Sequence, residues 1–142
     1  MSVFSFHLVQ TKPAIALGAM WCPPARSEIS GLVHAECLAS MSLGAPIFSP
    51  SRLQMRKLAV FACWENDSAL DAFLGGTRLG RTLAEGWYVR LEFLRQWGQF
   101  PEFGDLPATV DATNPAEPVV AVTLARLKIP QVSRFIRWGK PV

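Results

Sequence analysis

Apolar and polar side chains alternate from Val3 to Val9, with Phe4, Phe6 and Leu8 on one side and Val3, Ser5, His7 and Val9 on the other. A period of two is that of a half-buried strand. The same alternation returns from Trp87 to Leu94, where Trp87, Val89, Leu91 and Phe93 oppose Tyr88, Arg90, Glu92 and Leu94. Residues 31–40 read as a further strand, with Leu32, His34, Glu36 and Leu38 on one face and Val33, Ala35 and Cys37 on the other. Lys57 to Trp64 is a nearly unbroken apolar run, which suits a central strand.

Helical signals fall between these strands. Pro13 suits a first helical turn, the small apolar run Ala14–Met20 follows it, and Pro23-Pro24 ends it. Asn66 and Asp67 are good N-caps for a helix with Leu70, Phe73 and Leu74 at i, i+3 and i+4, and Gly75-Gly76 is the expected stop. A second helical stretch is expected over 77–85, with Leu79 and Leu83 on one side. The order strand, helix, strand, strand, helix, strand predicts an α+β fold of the ferredoxin-like βαββαβ type. Its antiparallel sheet would run in the order 4-1-3-2 and carry helices on one face only, leaving the other for a partner or a repeat.

The predicted domain covers residues 1–104. Residues 105–118 shift to Pro, Asp, Asn and Ala and read as a linker. Beyond it, a strand over 119–128 and an amphipathic helix over 130–138 suggest the start of a second, similar unit spanning 119–142. The pattern Phe6-His-Leu-x-x-x-Lys12 recurs as Val122-Thr-Leu-x-x-x-Lys128, and Pro13 and Trp21 find counterparts in Pro130 and Trp138.

Composition narrows the functional classes. Of the 142 residues 50% are hydrophobic and 18% charged, enough to bury a core and to leave apolar surface for a partner or an apolar ligand. The net charge of +3 is misleading, because residues 119–142 carry five basic residues and no acid, leaving the main body at −2. A nucleic-acid binder would carry its basic stripe on the folded domain, so nucleic acid is not an expected partner. Cys22, Cys37 and Cys63 form no C-x-x-C pair, which argues against a thiolate metal site and for a reduced, cytoplasmic setting. No apolar run approaches the ~20 residues of a membrane span, and no signal peptide is visible.

Candidate chemistry follows from the alternation. With the first and fourth strands adjacent, His7, Tyr88, Arg90 and Glu92 share a face, and His34 and Glu36 join it if the second strand's register agrees. A histidine beside a carboxylate suits acid–base work. Two histidines without a recognisable spacing support no metal site. Met20, Phe48, Trp64 and Trp87 are candidates to line an apolar pocket. Arg52, followed by Arg56 and Lys57, is a candidate to hold an anionic group such as a propionate. The alternative is that the same charges serve an assembly surface, with Arg90 and Glu92 in cross-strand ion pairs.

The runs Leu17-Gly-Ala-Met20, Phe48-Ser-Pro50, Leu58-Ala-Val-Phe-Ala-Cys-Trp64 and Glu85-Gly-Trp87-Tyr-Val-Arg-Leu91, closing in Trp97-Gly98 and Phe100, occur in this order over residues 4–104. They resemble the spheroidene monooxygenase-like family. The resemblance implies a dimeric α+β-barrel architecture, oxygenation of a small apolar molecule and an association with haem. The resulting expectation is a monooxygenase-like protein working as a homodimer or tandem pair. His7 or His34 would be its ligand or base, Arg90 and Glu92 would orient that histidine, and Met20, Phe48, Arg52, Trp64 and Trp87 would hold the cofactor. The competing expectation is a non-catalytic binding or assembly module that dimerises through the open sheet face.

Overall fold

Strand β1, Val3–Gln10, lies between β3, Leu53–Trp64, and β4, Trp87–Glu92, and is antiparallel to both. The outer strand β2, Leu32–Met41, lies beside β3, so the four-stranded sheet runs β2-β3-β1-β4. This computed structural model describes residues 2–41, 53–110, 118–124, 130, 131 and 134. The fold is α+β, an antiparallel sheet with three helices: α1, Pro13–Trp21, α2, Asp67–Gly76, and α3, Arg78–Ala84.

Each element has a local cause. Pro13 opens α1, where the missing N–H costs nothing. Asn66 caps α2, its side chain accepting from the Ala69 N–H at 2.9 Å. The helix ends at Gly76, as the sequence predicts, and the C-cap Thr77 N–H donates to the Phe73 carbonyl at 3.1 Å. The Thr77 hydroxyl then accepts from the Gly80 N–H at 2.8 Å, so one residue ends α2 and starts α3.

The register fixes both faces of the sheet. His7 sits opposite Val60 on β3 and Tyr88 on β4, and Phe6 opposite Phe61 and Val89. Directly paired residues point the same way. One face therefore carries Ser5, His7, Val9, Leu58, Val60, Ala62, Trp64, Tyr88 and Arg90. It packs on Ala16 and Ala19 of α1, Leu70, Phe73 and Leu74 of α2, and Leu83 of α3. The other face carries Phe4, Phe6, Leu8, Phe61, Trp87 and Val89 and meets no helix of this core.

Contacts divide the chain into two units, Met1–Ser40 with Met55–Asp111, and Met41–Gln54 with Ala112–Val142. In the first unit the stretch read as a linker begins too early. Residues 105–110 fold back, with Val110 N–H donating to the Leu94 carbonyl at 2.8 Å and Gln96 N–H to Ala108 at 3.1 Å. A 3-10 turn, Pro101–Phe103, precedes that return and buries Phe103. In the second unit, residues 118–124 form no strand, although a strand was expected from Val119 onward. β-branched residues favour a strand only where a neighbouring strand completes the ladder. Pro130, Gln131 and Arg134 are helical, as the sequence predicts. Residues 41–56 read from the sequence as a long connection, but β2 extends to Met41 and β3 begins at Leu53. Residues 42–52, with Phe48 and Arg52, lie outside the described residues, as do 111–117 and most of the predicted repeat.

Candidate functional site

The two histidines fall on opposite faces of the sheet. His7, in the middle of β1, faces the helices and is fully buried. Its ring stacks on Tyr88, with centroids 5.2 Å apart and planes 17° apart. It borders a void among Pro24, Leu32, Val60, Trp64 and Leu83 that is too narrow for a water molecule. Neither His7 nitrogen has a hydrogen-bond partner among the described residues. Burial, helped by the nearby Arg90 charge, pushes its pKa down to about 4, so the ring is neutral at physiological pH. A sealed imidazole of this kind meets no substrate.

The expected role of Arg90 and Glu92 beside His7 gives way to a different arrangement. Arg90 reaches across to α2, donating from Nη1 to Asp67 Oδ1 at 2.7 Å and from Nη2 to Asp71 Oδ1. Asp67 and Asp71 are one helical turn apart and present both carboxylates to one guanidinium. Hydrogen bonds from Asp71 and Asp67 raise the Arg90 pKa further above its already high value. Glu92 lies opposite Val3 at the exposed end of β4. Arg90 thus ties β4 to α2 and is not free to orient His7.

His34, on β2, stands on the side of the sheet without helices. Its Nε2 is 2.9 Å from Glu36 Oε1, and the two side chains are 25% and 30% exposed. An ionised carboxylate only accepts, so this bond places the proton on Nε2 and leaves Nδ1 as the basic nitrogen of the neutral ring. The His34 ring meets Phe103 edge to face at 5.4 Å. Phe103 also lies 5.7 Å from Phe4 and 5.9 Å from Phe61, at 68° and 90°. The His–Glu pair therefore borders an aromatic box built from three strands and the 3-10 turn. The strict alternation expected over 31–40 fails at its start. Leu32 joins the helix-side core together with Ala35. It is the first residue of β2 and also closes a turn, its N–H donating to the Ile29 carbonyl at 3.3 Å.

Among the described residues, the predicted pocket residues Met20, Trp64 and Trp87 do not converge. Trp64 is buried on the helix side, and its Nε1 donates to Ser5 Oγ at 2.9 Å. Met20 packs at the edge of the same core. Trp87 is on the opposite face, 60% exposed, 6.1 Å from Phe6. Phe103 meets His34 instead, with Phe4 and Phe61 packed against Phe103. Phe4 was legible on one face of the first strand and Phe61 within the apolar run 57–64, whereas Phe103 stood at the end of the predicted domain with no assigned element. Burial pushes the thiols of Cys37 and Cys63 up to about 11, in Cys37 with help from Glu36, which excludes both as thiolate nucleophiles at neutral pH.

Among the described residues no cluster of three or more His, Cys, Asp or Glu side chains is placed to hold a metal ion. Nor is any described helix long and apolar enough to cross a membrane. No protein-family model, curated protein or solved structure matches the chain.

Proposed function

We propose that the chain is a monooxygenase-like protein of the ferredoxin-like, dimeric α+β-barrel type that takes a small apolar molecule on the helix-free face of its sheet. The observation behind this reading is the His34–Glu36 pair, bonded at 2.9 Å at the edge of an aromatic box. Glu36 holds the imidazole proton on Nε2, and Nδ1 serves as general base toward an acidic O–H or C–H of the bound molecule. The deprotonated carbon then forms a C–O bond to dioxygen, and the resulting hydroperoxide breaks its O–O bond with loss of water to leave a carbonyl. Dioxygen is thus the only oxidant and no external reductant is needed, while the surrounding rings exclude water. The three cysteines are free thiols, which suits a reduced, cytoplasmic setting.

Haem does not fit the described histidines as they stand. His7 is sealed in the core, and although the bond to Glu36 leaves Nδ1 of His34 free, the box beside that ring is filled by Phe103 and has no room for a porphyrin. The reading therefore carries no haem step. In oxygen-electrode assays with small phenols and other acidic apolar molecules, His34→Ala should lower uptake about 100-fold. Wild-type protein that takes up no oxygen with any of them would sink the proposal, and so would a haemin Soret band that depends on His7.

A second reading has its own support. On the same face Leu8 is 37% and Trp87 60% exposed, next to Phe6 and Val89. Such a patch suits burial against a second copy, as a non-catalytic assembly module would use it. Sedimentation should then show a dimer that Trp87→Asp weakens at least tenfold. A monomer at micromolar concentration would reject this reading.

A further inference from the structure

Phe103 occupies its box as a ligand would. It reaches the sheet from outside, on the 3-10 turn Pro101–Phe103, and meets Phe4, Phe61 and His34 at 5.7, 5.9 and 5.4 Å. Phe100, from the same segment, lies tilted beside it at 5.8 Å. Ring edges directed at ring faces are the preferred geometry for holding an aromatic guest. The side chain is 7% exposed, so the box is filled and closed to solvent.

The segment that carries it is built with a fixed base and two pivots. At the base, Val110 N–H bonds the Leu94 carbonyl at 2.8 Å, Gln96 N–H bonds Ala108 at 3.1 Å, and the Gln96 amide donates to the Leu106 carbonyl at 2.9 Å. Between these anchors the backbone turns at Gly98, φ 92°, and at Gly104, φ 74°. A Cβ at either position would meet nothing within 4 Å, so the left-handed backbone, not lack of space, is what favours glycine there. Gly104 closes the turn on both sides, its N–H donating to the Pro101 carbonyl at 3.1 Å and its carbonyl accepting from the Leu106 N–H at 3.0 Å.

We infer that Phe103 is a resident plug in the ligand site, displaced on the Gly98 and Gly104 pivots by a molecule with one planar aromatic ring and a hydrogen-bonding substituent for His34. This rests on the reading of the open face as the ligand side, and it narrows the ligand class from small and apolar to monocyclic aromatic. A box sized for one phenyl ring accepts one phenyl ring, and the His34 edge of the box supplies the polar contact. Because the plug competes with the ligand, the apparent affinity is the intrinsic one reduced by the fraction of molecules with the plug out.

The test is equilibrium binding of phenol to the full chain, with toluene and cyclohexanol as comparison probes, alongside limited proteolysis within residues 98–104. Binding needs no oxygen turnover, so a failed oxygenase reading and a failed plug are told apart. Phe103→Ala removes the competitor and should tighten phenol about tenfold and toluene by the same factor from a weaker starting affinity, while cyclohexanol stays weak in both proteins. Gly104→Ala leaves the box intact but strains the plugged backbone, and should tighten phenol about fivefold. It decides the matter if Phe103→Ala fails to fold. Phenol should also speed cleavage within 98–104 in the wild-type protein. Equal phenol affinity in the wild type and Gly104→Ala overturns the inference. So does cyclohexanol binding Phe103→Ala as tightly as phenol, since that is simple void filling.

Discussion

A chain carrying Trp64→Ala is expected to lose about 3–5 kcal/mol of folding stability, read as a lower urea midpoint with an unchanged slope. Trp64 is the largest fully buried side chain among the described residues, 1% exposed at the end of the central strand β3. It packs on Phe73 of α2 with centroids 5.0 Å apart and joins the core shared by the sheet and all three helices. Truncation opens a cavity at that junction and leaves Ser5, itself fully buried, without the indole N–H now 2.9 Å from its hydroxyl. Trp64→Phe separates the two contributions. It keeps most of the packing, loses the bond to Ser5, and should cost only about 1–2 kcal/mol. An alanine variant within 1 kcal/mol of wild type would remove Trp64 from the core and reopen its candidacy as a pocket residue.

Trp64 also shows where the sequence was legible. Residues 57–64 are apolar on both sides of the strand, which is the pattern of a strand covered on both faces, and β3 is central. The alternations in β1 and β4 told which residues share a face. They did not tell which face receives the helices, because Phe4, Phe6 and Leu8 are no less apolar than Val3, Ser5, His7 and Val9. Helix α1 gave no help, being apolar all round. The decisive signal was available in α2. Asp67 and Asp71 stand one turn apart, and only an arginine facing the helix can meet both; Arg90 does, and its face is also that of His7. Phe103 was hidden for a different reason. Its neighbours Pro101, Gly104 and Asp105 have the composition of a linker, and its burial depends on contacts with Phe4 and Phe61, far away in sequence. That His34 and Glu36 share a face followed from their two-residue spacing on a strand; that it is the open face did not. Nor did their separation from His7.

That separation underlies the second large effect. Lowering the pH from 6.5 to about 4 should remove about 3 kcal/mol of stability through His7 alone, at roughly 1.4 kcal/mol for each pH unit. The sign follows from burial. His7 binds a proton near its ordinary 6.5 when the chain is unfolded but only near 4 when folded. Between those values the unfolded state holds the extra proton, so folding weakens as the pH falls. The contribution is whole above 6.5 and exhausted below about 4. The groups facing His7 reinforce this direction. Tyr88 stacks on the ring, Arg90 is a cation on the same face, and the two acids nearest Arg90, Asp67 and Asp71, are both engaged by its guanidinium. Leucine is close to histidine in volume, and His7→Leu also removes two buried nitrogens that lack partners. Its urea stability should be at least that of wild type at pH 7 and nearly flat between pH 6.5 and 4, apart from carboxylate titration common to both proteins. An undiminished slope in His7→Leu would show that other groups carry the acid sensitivity. The same variant tests the division of labour between the histidines. A neutral ring walled in by Val60, Trp64 and Leu83 moves no proton to a substrate, so oxygen uptake at pH 7 should persist in His7→Leu while it collapses in His34→Ala.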